Sequence, residues 1–126
     1  VLGRTDFIQS FGYTKDKVDS DECLEMATKI FTLSKKKGLK NVMGGNLNIN
    51  SFDFINELYD KDLLDYIETR NVKVKLSDEF LNNFKENLSS MLEFETEWLT
   101  RKYDNLIQLS KDDKKRLDNL KLRNTE

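Results

Sequence analysis

Val1-Leu2-Gly3-Arg4-Thr5-Asp6-Phe7-Ile8-Gln9-Ser10-Phe11-Gly12 is the stretch on which the fold turns. Val1 and Leu2 read as the end of a buried strand, and Gly3 lets the backbone approach something closely. Arg4 to Phe11 then reads as a loop closed by Gly12. The Asp6 carboxylate stands just past a strand end, where α/β folds place their chemistry. Read from residue types alone, Asp6 is either a metal or acid/base carboxylate or a loop residue that caps a turn.

Gly3-Arg4-Thr5-Asp6-Phe7-x-x-Ser10-Phe11-Gly12 resembles the Gly-x-x-Asp-[Leu/Phe]-x-x-Ser-[Leu/Met/Phe]-Gly segment of the aldolase/citrate-lyase (HpcH/HpaI) family. Three later pieces stand in the family's order: Gly44-Gly45, Tyr66-Ile67-Glu68-Thr69-Arg70, and Phe94-Glu95-x-Glu97-Trp98-Leu99. The resemblance implies an α/β fold made of about the last three β/α units of a (β/α)8 TIM barrel, with a long C-terminal helical extension. It implies a Mg2+ or Mn2+ ion held by two carboxylates, one of which is Asp6. It also implies a 2-oxo acid or acyl-CoA substrate near Arg4, Thr5 and Asp6, and oligomers that exchange C-terminal helices. The second carboxylate, the arginine that stabilises the enolate and any general base belong to the family's front part and are not among these residues.

Composition narrows the reading further. The chain has 126 residues, one domain's worth, and 35% of them are charged. With a net charge of −2 it carries no global argument for nucleic acid or an anionic membrane surface. No apolar run approaches the roughly 18 residues of a membrane span. Histidine is absent, which excludes histidine triads and histidine-containing zinc sites built from these residues. The single cysteine, Cys23, cannot form an internal disulfide and suits a reducing cytoplasm; its helical spacing points to core packing. Opening on Val1 inside a strand, the chain reads as one missing its front.

Tyr13 to Lys17 reads as a polar loop. Asp19 or Ser20 then caps a helix with Leu24, Ala27, Ile30, Phe31 and Leu33 at helical spacing, ended by Lys35-Lys36-Lys37 and Gly38. The lysines complement the helix dipole as a solvated end. Leu39 to Met43 reads as a strand running into Gly44-Gly45, which either approaches an anionic ligand or makes a tight turn. Asn50 or Ser51 caps the next helix, and a third strand lies around Asp65 to Arg70. There Glu68 and Arg70 would share one face. Alternating strands and helices argue for parallel strands with helical crossovers.

From Ser77 the chain reads as a long helix to about Leu109, with a fresh cap at Ser110 starting a last helix. No strict heptad is apparent there, which argues against a coiled coil. The expected division is residues 1–76 as partial barrel and 77–126 as helical arm. Two functions follow: the C-terminal fragment of a metal-dependent carbon–carbon lyase, inactive alone, or a helix-rich interaction and oligomerisation protein on a non-catalytic scaffold.

Overall fold

A computed structural model describes residues 1–125. Four short strands form one sheet in the order β1 (Leu2–Gly3), β2 (Val42–Gly44), β3 (Tyr66–Glu68), β4 (Lys73–Lys75). The first three run parallel and β4 returns antiparallel to β3. The register sets Leu2 beside Met43, Met43 beside Ile67 and Ile67 beside Val74. That row of apolar side chains crosses the sheet on one face, the cross-strand packing that holds short strands together. Met43 and Ile67 are fully buried in it.

The helices are α1 (Arg4–Ser10), α2 (Asp21–Lys36), α3 (Phe52–Asp60), α4 (Asp78–Asn82) and α5 (Phe84–Thr125). The chain is therefore α/β, with a mostly parallel four-stranded sheet and a long C-terminal helix.

Where the sequence carries strong end signals, the helices start and stop as expected. Ser20 caps α2, its hydroxyl accepting from the Cys23 amide at 3.3 Å. Gly38, at φ +73°, ends it. The Gly38 and Leu39 amides donate back to the Lys35 and Ser34 carbonyls, which satisfies two orphan acceptors of the last turn. Cys23, Ala27 and Phe31, four residues apart, turn one face of α2 into the core, so Cys23 is a packing residue.

Several expectations need correction. Residues 4–10 are helix, not loop: α1 begins directly after β1 with no side-chain cap. Ser51 does stand at the N-cap of α3, but its side chain makes no cap bond there; it bonds back to Asn48, which caps the preceding 3₁₀ turn Ile49–Ser51. Arg70 lies beyond β3, so it does not share a strand face with Glu68. The sequence reading had no β4.

The helical arm also differs. The break falls at Asn83, whose backbone (φ −117°, ψ 35°) leaves the helical region, and no break occurs at Ser110. A serine inside a helix costs only a few tenths of a kcal/mol, roughly, and a cap residue starts a helix only where the preceding turn has ended.

The division of the chain also moves. Compact units comprise Val1–Leu92 and Glu93–Glu126, in place of 1–76 and 77–126. Leu81, Phe84, Leu88 and Met91 are buried in the same core cluster as the strands, so the start of α5 belongs to the first unit. Glu126, the end of the expected arm, lies outside the described residues.

Candidate functional site at the carboxyl ends of the parallel strands

Three segments leave the carboxyl ends of the parallel strands: Arg4-Thr5-Asp6, Gly45-Asn46 and Thr69 onward. The first turn of α1 holds all three residues expected to bind substrate or metal, and it separates them. Arg4 is fully buried, Thr5 half-buried and Asp6 exposed.

Arg4 is committed to its own protein. Its Nη1 donates to the Val18 carbonyl at 3.2 Å and to the Asp19 carboxylate; its Nη2 donates to the Gly45 carbonyl at 3.0 Å and to Ser51 Oγ at 3.1 Å. The guanidinium carbon lies 4.9 Å from the centre of the Phe54 ring. One cation thus ties the connection before α2, the turn after β2 and the start of α3 to the start of α1. The planar fork of arginine can meet that many acceptors at once, which a lysine cannot. Among the described residues only Arg4 Nε is a buried side-chain nitrogen or oxygen without a partner. The expected substrate-facing role of Arg4 therefore gives way to the alternative that it pairs with neighbours: no part of it is exposed to meet a substrate.

The glycine pair serves the same internal closure. A Cβ on Gly44 would stand 2.9 Å from the Glu68 carbonyl oxygen. One on Gly45, at φ +89°, would stand 2.7 Å from both the Arg4 and Thr5 amide nitrogens and 3.1 Å from Thr5 Oγ1. Gly45 thus stands against the first two amides of α1. Asn46 continues the turn at φ +50°, a conformation asparagine tolerates.

Asp6 is the carboxylate of this region that remains open to solvent at a strand's exit. Among the described residues no group of three or more His, Cys, Asp or Glu side chains could hold a metal ion. A hard divalent ion takes several oxygen ligands, and Asp6 offers one.

At the opposite, amino ends of β2 and β3 lies a second polar cluster that sequence reasoning missed. Asp65 accepts from Lys35 Nζ at 2.8 Å and from the Asn41 amide at 2.7 Å. The Asn41 side chain donates to the Phe31 carbonyl at 3.1 Å and the Leu63 carbonyl at 2.7 Å. Burial pushes the Asp65 carboxyl up, but the bonds from Lys35 and Asn41 and the charges of Lys35 and Lys40 outweigh it and hold the group below its ordinary range. Lys35 is therefore an anchor, not part of a solvated helix end. A polar cluster at the amino ends of parallel strands serves stability.

An open groove of about 640 Å³ is lined by residues of 49–53, on either side of Ser51, and of 81–86. Among the described residues no helix is long and apolar enough to cross a membrane. No family model, curated protein or solved structure matches this chain.

Proposed function

We propose that this chain forms the C-terminal part of a (β/α)8-barrel aldolase or citrate-lyase-like enzyme, cytoplasmic and dependent on Mg2+ or Mn2+. It would cleave a carbon–carbon bond of a 2-oxo acid or acyl-CoA substrate. The observation that carries this reading is the exposed Asp6 in the first turn of the helix that follows a parallel strand. The resemblance puts one carboxylate ligand just past a strand end, and Asp6 follows β1 there, on a helix instead of the expected loop. Asp6 would supply one oxygen to the metal, and the remaining ligands would come from residues outside these 126. Thr5, half-buried beside it, would contact substrate. Arg4 would act through the framework it braces.

Breaking a bond next to a carbonyl leaves negative charge on oxygen, and a divalent ion supplies the compensating charge when bound. The contribution of this chain is the rigid seat of Asp6: a helix start locked by Arg4 from below and by Gly45 against its first amides.

The test is Mn2+-dependent cleavage of 2-oxo acids and acyl-CoA thioesters by the protein from the complete reading frame. Asp6→Asn should lower that activity by about 10²-fold or more. The 126-residue chain alone should be inactive and bind Mn2+ more weakly than about 10⁻³ M, even with pyruvate present. Absence of cleavage by the complete protein, or micromolar metal binding by the isolated chain, would end the reading.

A second reading, an interaction protein that self-associates through its C-terminal helix, is favoured by one specific observation. Leu99, Tyr103, Leu106, Leu109, Leu117 and Leu120 each keep half or more of their surface exposed. Homo-oligomerisation through that helix is compatible with either function.

A further inference from the structure

Leu92, Leu99, Leu106 and Leu120 recur at seven-residue spacing along α5, and Asp113 fills the remaining place. Three residues after each of the first four comes a second column: Glu95, Lys102, Leu109 and Arg116. Spacings of three and four place both columns on one face of a helix. The apolar repeat is not a strict heptad, because charges interrupt both columns. Those charges decide what can cover the face.

A second copy lying parallel and in register would bring Glu95 onto Glu95, Lys102 onto Lys102, Asp113 onto Asp113 and Arg116 onto Arg116. Every charge in the seam would meet its own sign. Reversing the second helix, so that Leu106 of one copy meets Leu109 of the other, changes all four layers. Lys102 then faces Asp113 twice, by symmetry; the aliphatic stem of Arg116 covers Leu99; and Leu120 packs beside Glu95. Arginine stems cover apolar surface well while their heads reach solvent, and polar seam positions commonly fix the orientation of paired helices.

The wider charge distribution agrees. Residues 92–107 carry four acidic and two basic side chains, and residues 108–123 carry three acidic and six basic ones. The helix dipole does not account for this, because its influence fades within one turn of a helix end and Glu93 lies nine residues into α5. Within one chain Lys102 and Asp113 stand at longer range from their neighbours. Asp113 stands 4.0 Å from Arg116, and Lys102 Nζ lies 5.1 Å from the centre of the Trp98 ring.

We propose that residues 92–123 pair with the same segment of a second copy of this chain in antiparallel orientation, centred between Leu106 and Leu109 and oriented by reciprocal Lys102–Asp113 contacts. The inference rests on the self-association described above and is independent of the lyase reading. It is tested on the full chain by sedimentation equilibrium, with circular dichroism checking that each variant keeps its helix content. Lys102→Asp alone and Asp113→Lys alone should each raise the dimer dissociation constant by about tenfold or more. The double exchange should return it to within about threefold of the parent, since it restores opposite charges only if the helices run antiparallel.

In a separate experiment, Leu99→Cys and Arg116→Cys chains are mixed and oxidised, and the product should be the mixed disulfide between the two variants. Disulfides of Leu99→Cys with itself would overturn the orientation while leaving self-association standing. A chain that stays monomeric at about 100 µM, far above the dissociation constant of a specific pairing, would overturn both. Failure of the double exchange to rescue would overturn the Lys102–Asp113 layer and with it the register.

Discussion

In Val1–Leu92 the largest fully buried side chain is an arginine, while in Glu93–Glu126 leucines lie more than half exposed. The two units invert the usual assignment of charge and grease. In the first, a buried cation is tolerable because four protein acceptors replace its water, and those acceptors belong to three separate segments. In the second, the helix is held by its own backbone and by i,i+4 pairs such as Glu97–Arg101 and Gln108–Asp112. The comparison teaches that a buried cation can join separate segments beside the apolar core of the first unit, while the apolar groups of the second lie open to association.

The largest expected effect comes from breaking the buried cation. Arg4→Ala would leave Asp19, Ser51 and two carbonyls without their partner and should cost about 3–5 kcal/mol. Urea unfolding followed by amide protection at Met43 and Ile67 would measure it. A loss below about 1 kcal/mol, the ordinary cost of a surface substitution, would erase the contrast between the units. Next comes Gly45→Ala, where a side chain meets both the positive φ and the α1 amides; at least about 2 kcal/mol should be lost. Gly38→Ala shares the positive φ but meets nothing within 4 Å, so about 1 kcal/mol is expected. Their difference isolates the close approach of the strand ends.

Asp65→Asn tests the second polar cluster and should cost about 1–2 kcal/mol near neutral pH. The folded-state pKa of Asp65 is held below its ordinary value, so its stabilisation is present above about pH 4 and is lost as pH falls through the folded value. The wild type should therefore approach the Asn variant in stability on acidification, and curves that stay parallel would contradict the assignment. The smallest effect should be Leu106→Ala, which should leave the urea stability of residues 1–92 within about 0.5 kcal/mol while weakening any dimer. A large loss of first-unit stability would show that the exposed leucines are not spare.

Much of the first unit was legible where local chemistry is strong. Ser20 and Gly38 bracket α2 because a cap hydroxyl and a left-handed glycine each act within one turn. The strand expected over Leu39 to Met43 does form, but later, at Val42–Gly44. The helix at Arg4–Ser10 was not legible, because its seven residues carry no cap and are fixed by long-range bonds from Arg4. Strand β4 did leave a signal: Val72, Val74 and Leu76 alternate with polar residues just beyond the expected third strand, a period of two that the reading did not use. The glycine pair was recognised as a place of close approach, but composition cannot tell whether the approaching group is a ligand or the chain itself. Asp6 was found by position, whereas Asn41, Asp65, Asp19 and Ser51 act through partners far along the chain that no local pattern announces.

Cys23 gives the molecule an internal stopwatch. Its sulfur is fully enclosed, and burial, reinforced by Asp19 and only partly opposed by Arg4, pushes its thiol above the ordinary range. A colourless thiol reagent in solution will therefore find it only in those molecules that have momentarily come apart around α2. With no other sulfhydryl in the chain to compete, the rate of labelling counts those openings one by one, and the native protein reports its own breathing without an added probe.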